Sequence, residues 1–91
     1  MPSYPPPSKH IVTLRASERR LKAAMARDDA RRLDVCVERV RRARLIILKT
    51  RRESLKYEPE TLERDRELRR IRADEDLWGS LSIAEISQYY Q

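Results

Sequence analysis

The chain has 91 residues, of which 40% are charged and 5% are aromatic, and its net charge is +6. This length allows one small domain with a thin core. A single glycine and no phenylalanine argue against a β-sandwich or barrel, which needs regular turns and β-branched strands. One cysteine excludes an internal disulfide, and a single histidine adds too little for a zinc site. The composition therefore predicts an all-α protein of charged helices.

The charge is distributed unevenly along the chain. Residues 1–28 have six basic and two acidic side chains, residues 29–58 ten and five, and residues 59–91 five and eight. A basic front with an acidic tail is typical of a chain that meets a polyanion, an acidic protein or another copy of itself. No apolar run reaches the roughly 20 residues of a membrane span, so we predict a soluble, cytoplasmic chain.

Four prolines in residues 1–8 predict an extended, disordered arm, because proline cannot donate to a regular hydrogen-bond ladder. Ser8 can cap the helix that follows. Glu18 lies on the apolar stripe of this first helix and needs a cationic partner if it is buried. The apolar members of the stripe are Ile11, Leu14, Leu21 and Met25.

The segment from Leu33 to Leu55 has the strongest periodic pattern. Apolar or small residues recur there at heptad spacing, at positions Leu33, Cys36, Val40, Ala43, Ile47 and Thr50. This seam predicts coiled-coil packing against another helix. We expect the first helix to be that partner, in an antiparallel helical hairpin over residues 9–57.

The corner of the hairpin is predicted at Asp28 and Asp29, whose side chains can accept hydrogen bonds from the free amides that open a helix. In this arrangement Arg44 lies one turn from Glu18 and becomes its counter-ion. Neither glycine nor proline marks the corner. One long helix over the same residues is therefore the alternative.

Residues 58–91 are predicted to form an acidic helical tail with an aromatic C-terminal segment. Pro59 stops the second helix and can open a third, and Gly79 is placed to end that helix in a left-handed cap. Ser82 and Glu85 match a capping box for a short last helix. The aromatic side chains of the tail either anchor a partner, as in binding hot spots, or fold back onto the core. They are Trp78, Tyr89 and Tyr90.

Two motifs in the first half of the chain resemble those of a known family. The first is His10-Ile11-x-x-Leu14 with Leu21 and Met25, and the second is Arg44-Leu45-x-Ile47 with Lys49. Over residues 9–52 this pattern resembles the YdcH-like family of small bacterial helical-hairpin proteins. That family opens with His-Leu-x-x-Leu and closes its second helix on Lys-Leu-x-Leu-Lys-Asp, whereas here Leu48 precedes Lys49 and Thr50 replaces the acidic residue. The resemblance implies a self-associating two-helix hairpin with no assigned enzymatic activity.

No catalytic, cofactor or metal site is predicted. His10 has no second polar group fixed beside it by the sequence, and Cys36 lies on an apolar seam where cysteine acts as a small hydrophobe. The acidic residues 74–76 are consecutive on a helix and point in different directions. One glycine cannot build a phosphate-binding loop. We therefore predict a non-enzymatic protein.

The predicted function is that of an interaction or assembly subunit, which forms a homo-oligomer or hetero-oligomer or docks onto a larger complex. The expected protein contacts are Leu45, Ile46, Leu48, Trp78, Tyr89 and Tyr90. The alternative is an arginine-rich nucleic-acid-binding protein whose hairpin neutralises phosphates. The expected phosphate contacts are Arg39, Arg41, Arg42, Arg51 and Arg52. Against this alternative, acidic residues interrupt the basic faces and no aromatic interleaves with the arginines to stack on bases.

Overall fold

The computed structural model describes residues 8–91. The Pro-rich arm predicted for residues 1–8 lies outside the described part, apart from Ser8, where the first helix begins. The four α-helices are α1 (Ser8–Ala26), α2 (Ala30–Leu55), α3 (Leu62–Ser80) and α4 (Ile83–Tyr89). Residues 8–91 contain no strand, so the all-α prediction is confirmed.

Two aspartates turn the chain between α1 and α2. Asp28 has a φ of 52°, a left-handed conformation that aspartate tolerates better than most residues. Its N–H donates to the Met25 carbonyl and the Asp29 N–H donates to the Ala24 carbonyl, both at 3.2 Å, which is the bond pair of a Schellman ending. The Asp29 carboxylate then accepts from the Arg32 amide at 3.2 Å and caps α2. The predicted hairpin is confirmed, and the single long helix is wrong.

Helix α2 is the centre of the fold, because it packs against each of the other three helices. On the predicted seam Val40 and Ala43 are buried, and the other members are half-buried. Val37 lies off the seam but is fully buried too, so α2 buries a second strip, against the tail. The core cluster draws residues from all four helices, namely Leu21, Val37, Val40, Trp78 and Ile86.

Helix α3 begins and ends at different residues from those predicted. Thr61 opens it, since the Thr61 hydroxyl accepts from the Arg64 amide at 3.1 Å, and Pro59 lies in the linker before it. Gly79 lies inside the helix, and no described glycine has a positive φ. The chain leaves α3 through an extended Leu81 instead. The predicted helix start at Pro59 and the predicted glycine cap are therefore wrong.

Helix α4 begins with the predicted capping box. The Ser82 hydroxyl accepts from the Glu85 amide at 3.1 Å, and the Glu85 carboxylate accepts from the Ser82 amide at 3.0 Å. Because the backbone N–H of Ser82 stabilises the charged form, the pKa of Glu85 is lowered. Ile86, one residue further along, is fully buried in the core cluster. Of the three aromatic side chains of the tail, Trp78 and Tyr90 fold back onto the core, as one of the two alternatives held, whereas Tyr89 is exposed.

The described chain is thin in one direction. Its extents along the principal axes are 48 × 28 × 16 Å. Packed helices have axes about 8–10 Å apart, and the backbone of each is about 5 Å across, so the thinnest direction holds no more than two helix layers. Consequently, a face of the hairpin that the tail does not cover is open to solvent.

Candidate protein-interaction surface

Two arginines near the end of α2 form ion pairs with α3. Arg51 lies 2.6 Å from the Glu67 carboxylate, and Arg52 lies 3.0 Å from the Glu75 carboxylate. Exposed pairs of this kind each contribute at most about 1 kcal/mol. Both pairs join α3 of the acidic tail to α2 of the basic hairpin.

Arg41 holds the C-terminal end of α3. Its guanidinium donates to the carbonyl of Trp78 at 2.8 Å, to that of Gly79 at 3.1 Å and to that of Leu81. Carbonyls at the end of a helix have no partner within the helix and carry its partial negative charge. Arg41 therefore stabilises the point where the chain passes from α3 to α4.

Arg44 joins all four helices. Its guanidinium lies 4.2 Å from the centroid of the Trp78 ring, within the range of a cation–π contact. Its Nε donates to the Tyr90 hydroxyl at 2.9 Å, and a terminal nitrogen lies 3.4 Å from the Glu18 carboxylate. The predicted pairing of Arg44 with Glu18 is therefore confirmed. We call Arg44, Glu18, Trp78 and Tyr90 the Arg44 cluster.

Burial and a hydrogen bond with Glu18 raise the pKa of Tyr90 from 10.0 to about 12. Since the folded-state pKa lies above the unfolded value, the stabilisation is complete below pH 10 and is lost as pH rises through about 12. We expect alkaline titration, followed by tyrosinate absorbance, to contain a late transition that Tyr90→Phe removes. Identical titrations of the two proteins would contradict this assignment.

A groove of about 480 Å³ lies between α1 and α2 on the other side of the hairpin. Its floor is apolar and consists of Ala23, Ala24, Val35 and Cys36; its rim consists of Arg20, Arg27, Arg31, Arg32 and Arg39. No carboxylate or aromatic ring is among its lining residues, although the Arg32 guanidinium lies 3.8 Å from the Asp29 carboxylate at the start of α2. We call it the arginine groove. It lies opposite the tail, because Arg39 lines it whereas Arg41, about 200° further around α2, reaches α3.

The six predicted protein contacts differ in their exposure. Ile46 is 41% exposed and Tyr89 is 63% exposed. Trp78 is buried in the core cluster, and Leu45 and Tyr90 pack against it. Leu48 is half-buried. The available surface among the six is therefore that of Ile46 and Tyr89, and the others contribute wholly or partly to packing within the chain.

The five predicted phosphate contacts separate into two groups. Arg41, Arg51 and Arg52 bind groups of α3 and of the segment after it, as described above. Arg39 and Arg42 are exposed, and Arg39 belongs to the rim of the arginine groove. The tail therefore covers part of the positive surface that was predicted from the sequence to contact phosphates.

The sequence prediction missed four of the five arginines of the rim. A usable signal was present in two pairs with heptad spacing, Arg20 with Arg27 and Arg32 with Arg39. Residues seven apart lie on one face of a helix, and in an antiparallel hairpin two such pairs can border the same groove. The sequence does not show, however, on which side of the hairpin the tail packs, and therefore which side keeps an open groove.

Other candidate chemistry is not assembled in the described residues. Glu75 of the acidic run pairs with Arg52, and nowhere in residues 8–91 do three or more histidine, cysteine or acidic side chains group closely enough to hold a metal ion. None of the four helices has both the length and the apolar character for crossing a membrane.

Comparison of the chain with protein-family models, curated proteins and solved structures finds no match. The resemblance to the YdcH-like family therefore stays a prediction.

Proposed function

We propose that this chain is a non-enzymatic interaction subunit that docks onto a larger protein complex through the uncovered side of its hairpin. The observation that carries the proposal is the arginine groove, an apolar floor bordered by five arginines on the side away from the tail. An apolar centre with a polar rim is typical of interaction surfaces.

The surface of the groove continues along α2. Val35, Arg39, Arg42 and Ile46 follow one another at spacings of three and four residues and therefore share one face of the helix. Val35 is 52% exposed and Ile46 is 41% exposed. This face offers two aliphatic side chains with arginines between them, a composition that suits a protein partner.

The charge of the chain favours a different protein over a second copy as the partner. The net charge is +6, and two carboxylates of the tail already pair with Arg51 and Arg52. Two copies that met through the arginine groove would bring like charges together, which is unfavourable at an interface. An acidic surface on another protein would be attracted to it.

Nucleic acid is the second candidate, because the rim of the groove has five arginines and no carboxylate. Three of the five predicted phosphate contacts are engaged within the chain, which lowers the charge left for a duplex. Contact with a phosphate backbone would also leave the apolar floor of the groove unburied. We therefore rank this function below protein docking.

The test is the size of the tagged chain in an extract of its native cells, measured by gel filtration with and without nuclease. We expect it to elute well above its monomer mass of 10.9 kDa and nuclease to leave that position unchanged. Val35→Asp is expected to release it to the monomer position. The matched control is Val12→Asp, at an exposed valine of α1 outside the groove, which should stay in the complex.

Two results would overturn the proposal. If Val35→Asp and Val12→Asp both remain in the complex, the groove is not the docking surface. If nuclease alone releases the unmodified chain, nucleic acid is the partner. Circular dichroism of both variants checks that their helices are intact, so that loss of the complex is not loss of the fold.

A further inference from the structure

We infer that the arginine groove binds an acidic amphipathic helix of the partner protein. This inference rests on the proposed function, since it names the chemistry of the partner at the same surface. It commits to one occupant, a helix with an apolar stripe and carboxylates on both sides of that stripe.

The floor of the groove permits close approach of a helix. Two small residues of α1, Ala23 and Ala24, lie beside Val35 and Cys36 of α2. Helices in contact have axes about 8–10 Å apart, and small side chains at the contact favour the shorter distance. A third helix laid along the groove would therefore bury its apolar stripe on this floor.

The rim has the spacing that a helical partner requires. Arg20 and Arg27 are seven residues apart on α1, and Arg32 and Arg39 are seven apart on α2, so each pair spans about 10 Å, or two helical turns. Because the hairpin is antiparallel, Arg27 and Arg32 are the pair nearer the corner, and Arg20 and Arg39 are the pair farther from it. A bound helix with carboxylates at positions i and i+7 on each flank would place a carboxylate beside each of these four arginines.

A second copy of this chain offers a helix of mixed charge and not an acidic one. In α3 the carboxylates of Glu67 and Glu75 pair with α2 of the same chain. The acidic residues that α3 exposes, Glu63, Asp65 and Asp76, are interspersed with four exposed arginines, Arg66, Arg69, Arg70 and Arg72. In α4 the single acidic residue, Glu85, is part of the capping box. None of the four described helices is flanked by carboxylates alone, so we expect the acidic helix to belong to a different protein.

A single-stranded nucleic acid fits the groove less well. Sequence-tolerant binding of single strands combines a positive groove with aromatic rings on which bases stack, and the lining of this groove contains no aromatic ring. The rim alone would attract phosphates, but the floor would remain in contact with water. Substitutions in the floor should therefore weaken the binding of an amphipathic helix but not that of a single-stranded nucleic acid.

The probe is a synthetic, stapled helical peptide of about 16 residues, long enough for four turns, with leucines along one stripe and glutamates on both flanks. Fluorescence anisotropy compares it with a permuted peptide that has the same composition but no stripe, and with a single-stranded RNA. We expect the amphipathic peptide to bind at least about tenfold more tightly than the permuted peptide, because only it can cover the floor.

Matched variants identify the surface. Arg27→Glu with Arg39→Glu is expected to weaken peptide binding at least about tenfold through repulsion at the rim. Arg15→Glu with Arg19→Glu makes the same change in net charge at exposed positions of α1 outside the groove, and its effect should stay within about twofold. Val35→Ser should weaken peptide binding by about threefold or more through lost apolar contact, whereas Val12→Ser should not.

Equal affinity for the two peptides would overturn the inference, as would RNA binding that is tighter than peptide binding and unaffected by Val35→Ser. These failures are distinguishable from failure of the proposed function. If Val35→Asp releases the chain from the native complex while the two peptides bind equally, the groove docks a protein of another shape. In that case the proposed function stands and only the inference of a helical partner is wrong.

Discussion

Trp78→Ala is expected to lower the free energy of unfolding by about 3–5 kcal/mol, the usual cost of removing a large buried aromatic side chain. Trp78 is 6% exposed and belongs to the core cluster. Its ring also makes an edge contact with Tyr89, with centroids 5.3 Å apart, and lies under the Arg44 guanidinium. The substitution removes all three contributions at once.

Such a loss is large for a domain of this size, since small domains have a total stability of about 5–15 kcal/mol. Urea denaturation followed by circular dichroism measures it. Hydrogen exchange should in addition reveal faster exchange in α4 than in α1, because α4 has seven residues and is too short to be stable without its docking contacts.

The control for Trp78 is its neighbour Leu77, which is 50% exposed. Leu77→Ala should cost less than about 1 kcal/mol, because half of that side chain is already in water. If both substitutions have similar small effects, Trp78 is not part of the folded core. The aromatic side chains of the tail would then be free to anchor a partner, which is the other alternative that the sequence left open.

Arg44→Ala is expected to cost about 2–4 kcal/mol, since charged hydrogen bonds and a partly desolvated cation–π contact are lost together. The substitution also leaves the Glu18 carboxylate, 23% exposed in its side chain, without its counter-ion. Arg42→Ala is the matched control on an exposed position of α2, and its effect should stay below about 0.5 kcal/mol. Chemical denaturation of both variants gives the comparison.

A double-mutant cycle identifies the source of the loss. Glu18→Gln removes the carboxylate charge while keeping the shape of the side chain, so in the Arg44→Ala background it should cost less than in the unmodified chain. Strict additivity of the two changes would mean that the ion pair contributes nothing. The loss in Arg44→Ala would then come from its contacts with Trp78 and Tyr90 alone.

The local features of the fold were predictable from the sequence. Heptad spacing identified the apolar seam around Val40 and Ala43, and short polar motifs identified the cap at Asp29 and the capping box at Ser82. Each of these signals involves residues within a few positions of one another, where helical geometry fixes which side chains share a face. The pairing of Glu18 with Arg44 followed once the corner was placed.

The candidate site depends on contacts that no local pattern contains. Arg39, Arg41, Arg42 and Arg44 are alike in sequence, but Arg41 binds carbonyls 37 to 40 positions away and Arg39 borders the open groove. The tail can pack on only one side of α2, and that choice decides which arginines become internal. For the same reason the sequence left Trp78 equally suited to a partner and to the core.

The sequence by itself determined that this protein is a basic helical hairpin with an acidic, aromatic tail, because periodicity, capping and charge are properties of neighbouring residues. Only the tertiary structure decided which face of the hairpin the tail covers. That decision comes from the fit of Trp78 and Ile86 against α2 and from the hydrogen bonds of Arg41 and Arg44, which form between residues far apart in the chain. The open face, with its arginine groove, is what that packing leaves available.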